Sequence, residues 1–324
     1  MAAVTHRFVE ANGLRMHLAE AGKGPTVVMC HGFPESWYSW RHQLVALAEA
    51  GFHAVAPDMR GYGETEQPDA IDQYTLLHLV GDMVGLLDVL EAPTATIVGH
   101  DWGAPVAWHS ALFRPDRFTS VVGLSGPYAP RGRRRPSTAM PVTDSAVFYQ
   151  QYFQEPGVAE VELERDPAMS MRRILVGLSG DAPPDATAEG VAMVPRSGGF
   201  LDLTNDPGEL PEWLTEEDVA AYTEQFAKSG FRGGLNWYRN IDRNWELTSA
   251  FAGAQVTVPA LFIVGERDLV TRFHRMPQVI ANQRSYVPQL QETVMLRGCG
   301  HWTQQERPAE VNAALIEFCT SLRG

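Results

Sequence analysis

The sequence predicts an α/β fold, a mostly parallel twisted sheet flanked by helices, with a helical lid inserted into it. Three observations lead there. Short apolar, β-branched runs at residues 26–30, 52–56, 94–98 and 118–124 alternate with stretches of helical periodicity, which is how a sheet buried on both faces and wrapped by crossover helices reads. The alternation stops near Pro127 and resumes near Val258, and between them lie helical segments separated by Gly/Pro-rich loops. The run at 94–98 ends in Gly99-His100-Asp101-Trp102-Gly103 and meets a small-residue helical stretch, so a buried strand turns sharply into a helix.

The chain opens with antiparallel pairing, because residues 7–10 and 14–19 read as strands around Asn12-Gly13, a strong hairpin signal. Residues 26–30 form a fully buried strand that leads into His31-Gly32-Phe33-Pro34 and a helix including 40–48. Residues 52–56 supply the next strand, followed by a loop with its own glycine pair, Gly61 and Gly63, and a helix near 76–90. After the strand at 118–124 the insertion begins. One of its helices is well marked: Thr215 and Asp218 resemble a capping box, Tyr222 and Phe226 are four apart, and Gly230 is the stop. A strand at 258–264, a helix around 276–281 and a strand near 293–296 resume the alternation. The last helix starts at Pro308 and puts Val311, Leu315, Phe318 and Leu322 on one face. Residues 1–126 and 247–324 are thus assigned to an α/β core, and 127–246 to a helical cap inserted after the strand near 118–124. A connection of roughly 120 residues far exceeds ordinary ones, so a functional role is expected of it, with the loop from 180 to 206 helping to shape a pocket.

Composition narrows the partners. At 324 residues, 44% hydrophobic and 20% charged, the chain can bury an ordinary globular core. No window approaches the roughly 20 apolar residues of a membrane span, and the first residues lack the apolar stretch of a signal peptide, so a cytoplasmic location is expected. A formal charge of −13 argues against nucleic acid or an anionic membrane as partner. The one basic cluster, Arg131-Gly132-Arg133-Arg134-Arg135-Pro136, reads as a solvated loop. Cys30, Cys299 and Cys319 are too few and too scattered for a disulfide framework and make no metal-binding pattern, so reduced, buried thiols and no metal or cofactor are expected. A thiol nucleophile at Cys299 is set aside, since residues two apart on one short segment, as Cys299 and His301 are, seldom face each other.

The pentapeptide at 99–103 has the form of a nucleophile elbow. Side chains at 99 and 103 would collide where strand and helix converge, so glycines there let the middle residue project from a strained turn. That residue is commonly serine. Here it is Asp101, whose carboxylate attacks different electrophiles from an alkoxide, and the positive end of the following helix favours its ionised form. Candidate partners follow in the order nucleophile, acid, histidine. Asp268 lies in Gly265-Glu266-Arg267-Asp268-Leu269, after the strand at 258–264, and His301 in Gly298-Cys299-Gly300-His301-Trp302. Glu266 is the competing acid, and otherwise a surface partner for Arg267. Oxyanion donors are expected from the backbone N–H groups of Trp102 and of Phe33, while His31 and His100 read as buried structural histidines.

Asp101 in Gly-His-Asp-Trp-Gly, His31-Gly-Phe-Pro-Glu-Ser-Trp37, Gly61-Tyr-Gly-Glu-Thr65 and Gly300-His-Trp302 together resemble the soluble epoxide hydrolases of the α/β-hydrolase fold. Residues 148–157 and 230–240 are similar to the two lid segments that carry that family's tyrosine acids, and the likeness spans nearly the whole chain, without the N-terminal phosphatase domain of mammalian members. The resemblance implies a cis peptide at Phe33-Pro34 and acid roles for Tyr149 and Tyr238. Tyr152, three residues from Tyr149 on a predicted helix, falls close to the same face, so spacing leaves open which of the two faces the site. Pocket walls are expected from Phe33, Pro34, Trp102, Tyr152, Trp237 and Trp302.

What the resemblance implies is hydrolysis of a small-molecule epoxide to a vicinal diol by a monomer or homodimer, through a hydroxyalkyl ester on Asp101 that water activated by His301 and Asp268 then cleaves. A haloalkane dehalogenase also places Trp after Asp, but usually carries an asparagine where this chain has Phe33, and halide has no use for paired phenols. A serine esterase is disfavoured by Asp101 itself, and a non-catalytic binding protein on the same scaffold by the intact nucleophile, acid and base.

Overall fold

The computed structural model describes residues 2–182, 191–205, 207–273 and 275–323. Strands β1 (Thr5–Ala11) and β2 (Leu14–Ala21) pair antiparallel, and both turn residues, Asn12 and Gly13, take positive φ (52° and 71°) as a primed turn demands. Then come β3 (Thr26–Cys30), α1 (Arg41–Glu49), β4 (His53–Pro57), α2 (Leu76–Val89), β5 (Ala95–His100), α3 (Gly103–Phe113) and β6 (Phe118–Leu124). A long segment follows, holding β7 (Ala146–Phe148), α4 (Tyr149–Tyr152), α5 (Val158–Leu163), α6 (Pro167–Gly177), β8 (Met193–Pro195), α7 (Glu216–Ser229), α8 (Arg232–Arg239) and α9 (Ile241–Leu247). The chain ends with β9 (Ala260–Gly265), α10 (Met276–Ala281), β10 (Leu290–Leu296), α11 (Thr303–Glu306) and α12 (Pro308–Ser321).

Eight strands make one sheet in the order β1-β2-β4-β3-β5-β6-β9-β10, in which only β2 runs against the rest. The apolar runs separate by face as period two requires. Val27 and Met29 of β3, with Leu261 and Ile263 of β9, pack against Leu44 and Leu47 of α1 and Val311, Leu315 and Phe318 of α12. Val28, Phe262 and Val264 point to the other face, where Leu79, Met83 and Leu86 of α2 and Val106 and Ala107 of α3 meet them. Each such side chain contributes about 1.5–3 kcal/mol by leaving water, which makes this two-sided burial the main support of the sheet.

The fold departs from expectation in small, explicable ways. The segment between β6 and β9 is not wholly helical, because β7 and β8 pair antiparallel with Phe148 opposite Met193; three-residue strands are too short to register as alternation. Leu322 is no part of the buried face of α12: it sits past the end of the helix and is 37% exposed. Nor is the basic cluster simply solvated, since Arg131 stacks over Trp245, 4.0 Å from the ring centre, and Arg135 pairs with Glu246. Thr215 does cap α7, its hydroxyl accepting from Asp218 N–H while the Asp218 carboxylate accepts from Thr215 N–H. Of the loop expected to shape a pocket, residues 183–190 and 206 lie outside the described residues. Among the described residues no helix is long and apolar enough to cross a membrane.

Candidate active site

Four loops leave the carboxyl ends of β3, β5, β9 and β10 and converge at that edge of the sheet, where open α/β sheets bind ligands. They carry Phe33, Asp101, Asp268 and His301 in turn. The β5–α3 turn is as sharp as its sequence implies. Asp101 has φ 48°, and a Cβ on Gly99 would lie 2.0 Å from Gly103 O while one on Gly103 would lie 2.0 Å from Cys30 O. Neither position admits a side chain, and the strain at Asp101 is held by packing on both sides.

The turn aims Asp101 between two groups. Its Oδ1 accepts from Phe33 N–H at 2.7 Å, and its Oδ2 lies 3.4 Å from His301 Nε2. The Trp102 amide opens beside Oδ1: a Cβ on Gly32 would sit 2.3 Å from Oδ1 and 2.7 Å from Trp102 N. On its other side, His301 Nδ1 lies 3.1 Å from Asp268 Oδ1, which also accepts from Val270 N–H at 2.9 Å. Burial disfavours a charged His301, yet the Asp268 and Asp101 carboxylates outweigh it and hold the imidazole well above its ordinary pKa. Glu266 takes no part here, and it does not pair with Arg267: its carboxylate accepts from Gly298 N–H at 2.8 Å, while Arg267 donates to Gly180 O.

Behind His301 lies a polar network that sequence reasoning did not assign. Glu35 is fully buried; its Oε2 accepts from Gly32 N–H (3.0 Å) and from His100 Nδ1 (2.7 Å), and its Oε1 from Gln304 Nε2 (2.9 Å). His100 Nε2 donates to His301 O at 2.7 Å, and Ser125 Oγ donates to the same carbonyl at 2.9 Å. The network thus ties the Phe33 loop to the His301 loop from beneath. Desolvation would raise the Glu35 pKa, but the His100 ring and the Gly32 amide lower it to about 2. Glu35 stands in the motif at 31–37, but nothing in a sequence distinguishes a buried carboxylate from a solvated one. His31 is buried as expected, its Nε2 accepting from Met59 N–H at 3.0 Å.

Above the elbow is a cavity of about 510 Å³, with Asp101 and His301 in its floor. Tyr149, on α4, and Tyr238, on α8, both line it, their ring centres 5.9 Å apart and edge-on. Burial raises both phenol pKa values, and the Asp101 charge raises them further, so each keeps its proton. Tyr152 turns away and donates to Glu162 Oε2 at 2.8 Å. Of the expected wall residues, Phe33 and Pro34 line the cavity. Trp237 and Trp302 are instead sealed in packing, their indole N–H groups donating to Arg60 O (3.1 Å) and Leu175 O (2.7 Å). Trp102, partly buried, is not among the residues that line the cavity either, and its ring meets that of Tyr238 edge-on at 5.2 Å. The remaining wall is mostly apolar, with Ile174, Leu178, Phe200, Leu203 and Phe273, but Thr204, Glu266, Arg267 and Arg272 also line it. Phe200, Leu203 and Thr204 come from the loop expected to shape a pocket, whereas nothing in the sequence marks Ile174 or Phe273, whose apolar character is shared with any core residue. Among the described residues no cluster of His, Cys, Asp and Glu is placed to hold a metal ion.

Residues 25–166 match a family described as the alpha/beta hydrolase fold. The chain is 47% identical to Epoxide hydrolase A of Mycobacterium tuberculosis over 99% of both. Epoxide Hydrolase A from Mycobacterium thermoresistibile has a crystal structure that is 48% identical and superposes with a TM-score of 0.91 over 99% of each chain. An epoxide hydrolase from an endophytic Streptomyces, 46% identical, superposes with a TM-score of 0.95, covering 99% of this chain and 96% of that one.

Proposed function

Since this chain belongs to the soluble epoxide hydrolase family of α/β-hydrolases, we propose that it converts epoxides to vicinal diols through a covalent ester on Asp101. The observation that carries this reading is the placing of two protonated phenols, Tyr149 and Tyr238, across one cavity from a carboxylate in the elbow. An oxirane oxygen leaves as a poor alkoxide unless a proton donor meets it, whereas halide needs no such donor. Asp101 Oδ2 attacks an oxirane carbon in line with the breaking C–O bond, while the phenols hydrogen-bond the ring oxygen and one of them gives up its proton. Oδ1, held by the Phe33 amide, becomes the carbonyl oxygen of the ester.

Hydrolysis follows. His301, oriented by Asp268, takes a proton from water, and the resulting hydroxide attacks the ester carbonyl. The Phe33 and Trp102 amides hold the oxyanion that forms. The diol departs and the carboxylate is restored, and over the cycle His301 returns one proton to the phenolate, so that both groups recover their starting forms. Residues 127–246 act in this scheme as a cap that brings both phenols over the core and encloses the reaction in mostly apolar walls.

A single turnover in heavy-oxygen water tests the route. The ester path leaves the first diol unlabelled and the label in Asp101. Label in that first diol would mean that water attacks the epoxide directly and that Asp101 is no nucleophile.

A further inference from the structure

We propose that Glu306 is a positioning residue for ester hydrolysis, joining the inserted segment to the loop that carries His301 and so holding the base in place; this inference rests on the ester route above. Glu306 ends α11 and is only 4% exposed. Its Oε2 accepts from Gly180 N–H at 2.9 Å and from Gly300 N–H at 2.8 Å, and its Oε1 accepts from Trp302 N–H at 3.0 Å. Two of these donors are the chain neighbours of His301. The third, Gly180, lies just past α6, in the stretch whose Leu178 carbonyl accepts the N–H of His301 itself at 3.0 Å.

Two further bonds close the joint. Trp302 Nε1 donates to Leu175 O at 2.7 Å, and an Arg267 guanidinium N–H donates to Gly180 O at 2.7 Å. The two backbones are in such close approach that a Cβ on Gly180 would sit 2.1 Å from Gly298 O, and one on Gly300 would sit 2.2 Å from Gly180 N. A buried carboxylate suits this joint because both of its oxygens accept. Glutamine accepts with one oxygen only, so its NH2 group would confront either the Trp302 N–H or the Gly180 and Gly300 pair, leaving buried donors unsatisfied.

The consequence is specific to one half-reaction. His301 does its work as a base after the ester has formed, whereas Asp101, the Phe33 amide and the two phenols hang on the β5–α3 turn, the loop after β3, α4 and α8. Loosening the Glu306 joint therefore slows cleavage of the ester and leaves its formation nearly intact.

The test is rapid-quench single turnover with styrene oxide, read by intact-protein mass. Glu306→Gln is expected to slow ester cleavage about 10- to 100-fold, with ester formation within about threefold of the unmodified enzyme, so that the ester accumulates. Glu306→Asp, which keeps two acceptor oxygens on a shorter arm, recovers part of the loss. Gly180→Ala crowds the joint from the other side and is expected to slow the same step, which keeps the question decidable if Glu306→Gln does not fold. Equal slowing of both steps, or of neither, in whichever of these two variants folds overturns the proposal. The same experiment on His301→Gln separates the two readings: no ester mass there means that the ester route fails, whereas ester in His301→Gln without accumulation in Glu306→Gln or Gly180→Ala means that only the role of Glu306 fails.

Discussion

His301 stands between two carboxylates, its Nε2 3.4 Å from Asp101 Oδ2 and its Nδ1 3.1 Å from Asp268 Oδ1. With both ionised, the imidazole is held well above its ordinary pKa, which favours the protonated ring, the form that cannot accept a proton from water. Formation of the ester would change this, because esterified Asp101 carries no charge. In the proposed route this would remove one of the two raising influences and, as the ring's proton passes to the phenolate left by ring opening, free His301 as a base at the stage that requires one.

Asp101→Asn mimics the neutral ester without chemistry. It is expected to lower the His301 pKa, which NMR titration of the ring carbon resonances can follow in both proteins. The sign for stability also follows. A raised folded pKa contributes stability that is complete below the ordinary value of 6.5 and is lost as pH rises from there through the folded value, so in Asp101→Asn this alkaline loss starts from the same pH but is smaller and is complete at lower pH. An unaltered His301 pKa in the variant would remove the switch from the mechanism.

His301→Gln keeps a polar side chain of similar reach but has no basic nitrogen. Ester formation is expected to persist while ester cleavage falls by about 10²–10⁴-fold, the usual worth of a general base. Mass spectrometry of the intact protein after addition of an aryl epoxide should find the sum of enzyme and epoxide, and peptide mapping should put the added mass on Asp101.

The two phenols are separable from the third tyrosine of this region. Tyr149→Phe and Tyr238→Phe each remove a proton donor from the cavity and are expected to slow ester formation about 10²-fold or more. Tyr152→Phe removes only the bond to Glu162 Oε2, which lies away from the cavity, and is expected to keep ester formation within about threefold. Stopped-flow tryptophan fluorescence, with Trp102 edge-on to Tyr238, offers a signal for the first step. A larger loss in Tyr152→Phe than in Tyr149→Phe would reverse their assignments.

What could be read from the sequence divides along physical lines. The sheet, the elbow and the helix at Thr215 were legible because each is local: an apolar run, two glycines bracketing a turn, a cap and a stop within a few residues. Tyr149 against Tyr152 was not, since both sit on one helical turn and only the Glu162 carboxylate, ten residues on, draws Tyr152 away. Trp237 and Trp302 looked like pocket walls because a large aromatic beside an active residue reads the same whether its ring faces a cavity or its indole N–H is spent on a distant carbonyl. The partners of Glu35 and Glu306 lie up to 270 and 126 residues away, beyond anything that spacing can express.

The buried Glu35 gives the acid limb of stability. Desolvation opposes its charge, but the His100 ring and the Gly32 amide bring its pKa from 4.5 down to about 2. A lowered folded pKa contributes stability that is fully present above 4.5 and is lost as pH falls through about 2. Glu35→Gln abolishes that contribution and leaves His100 without its carboxylate, a loss of about 3–5 kcal/mol at neutral pH for one member of a buried pair. The gap between the two proteins should then narrow as pH falls from 4.5 towards 2, measured by denaturant unfolding at each pH. A gap that stays constant over that window would mean that Glu35 contributes packing and hydrogen bonds, but no charge, beneath the His301 loop.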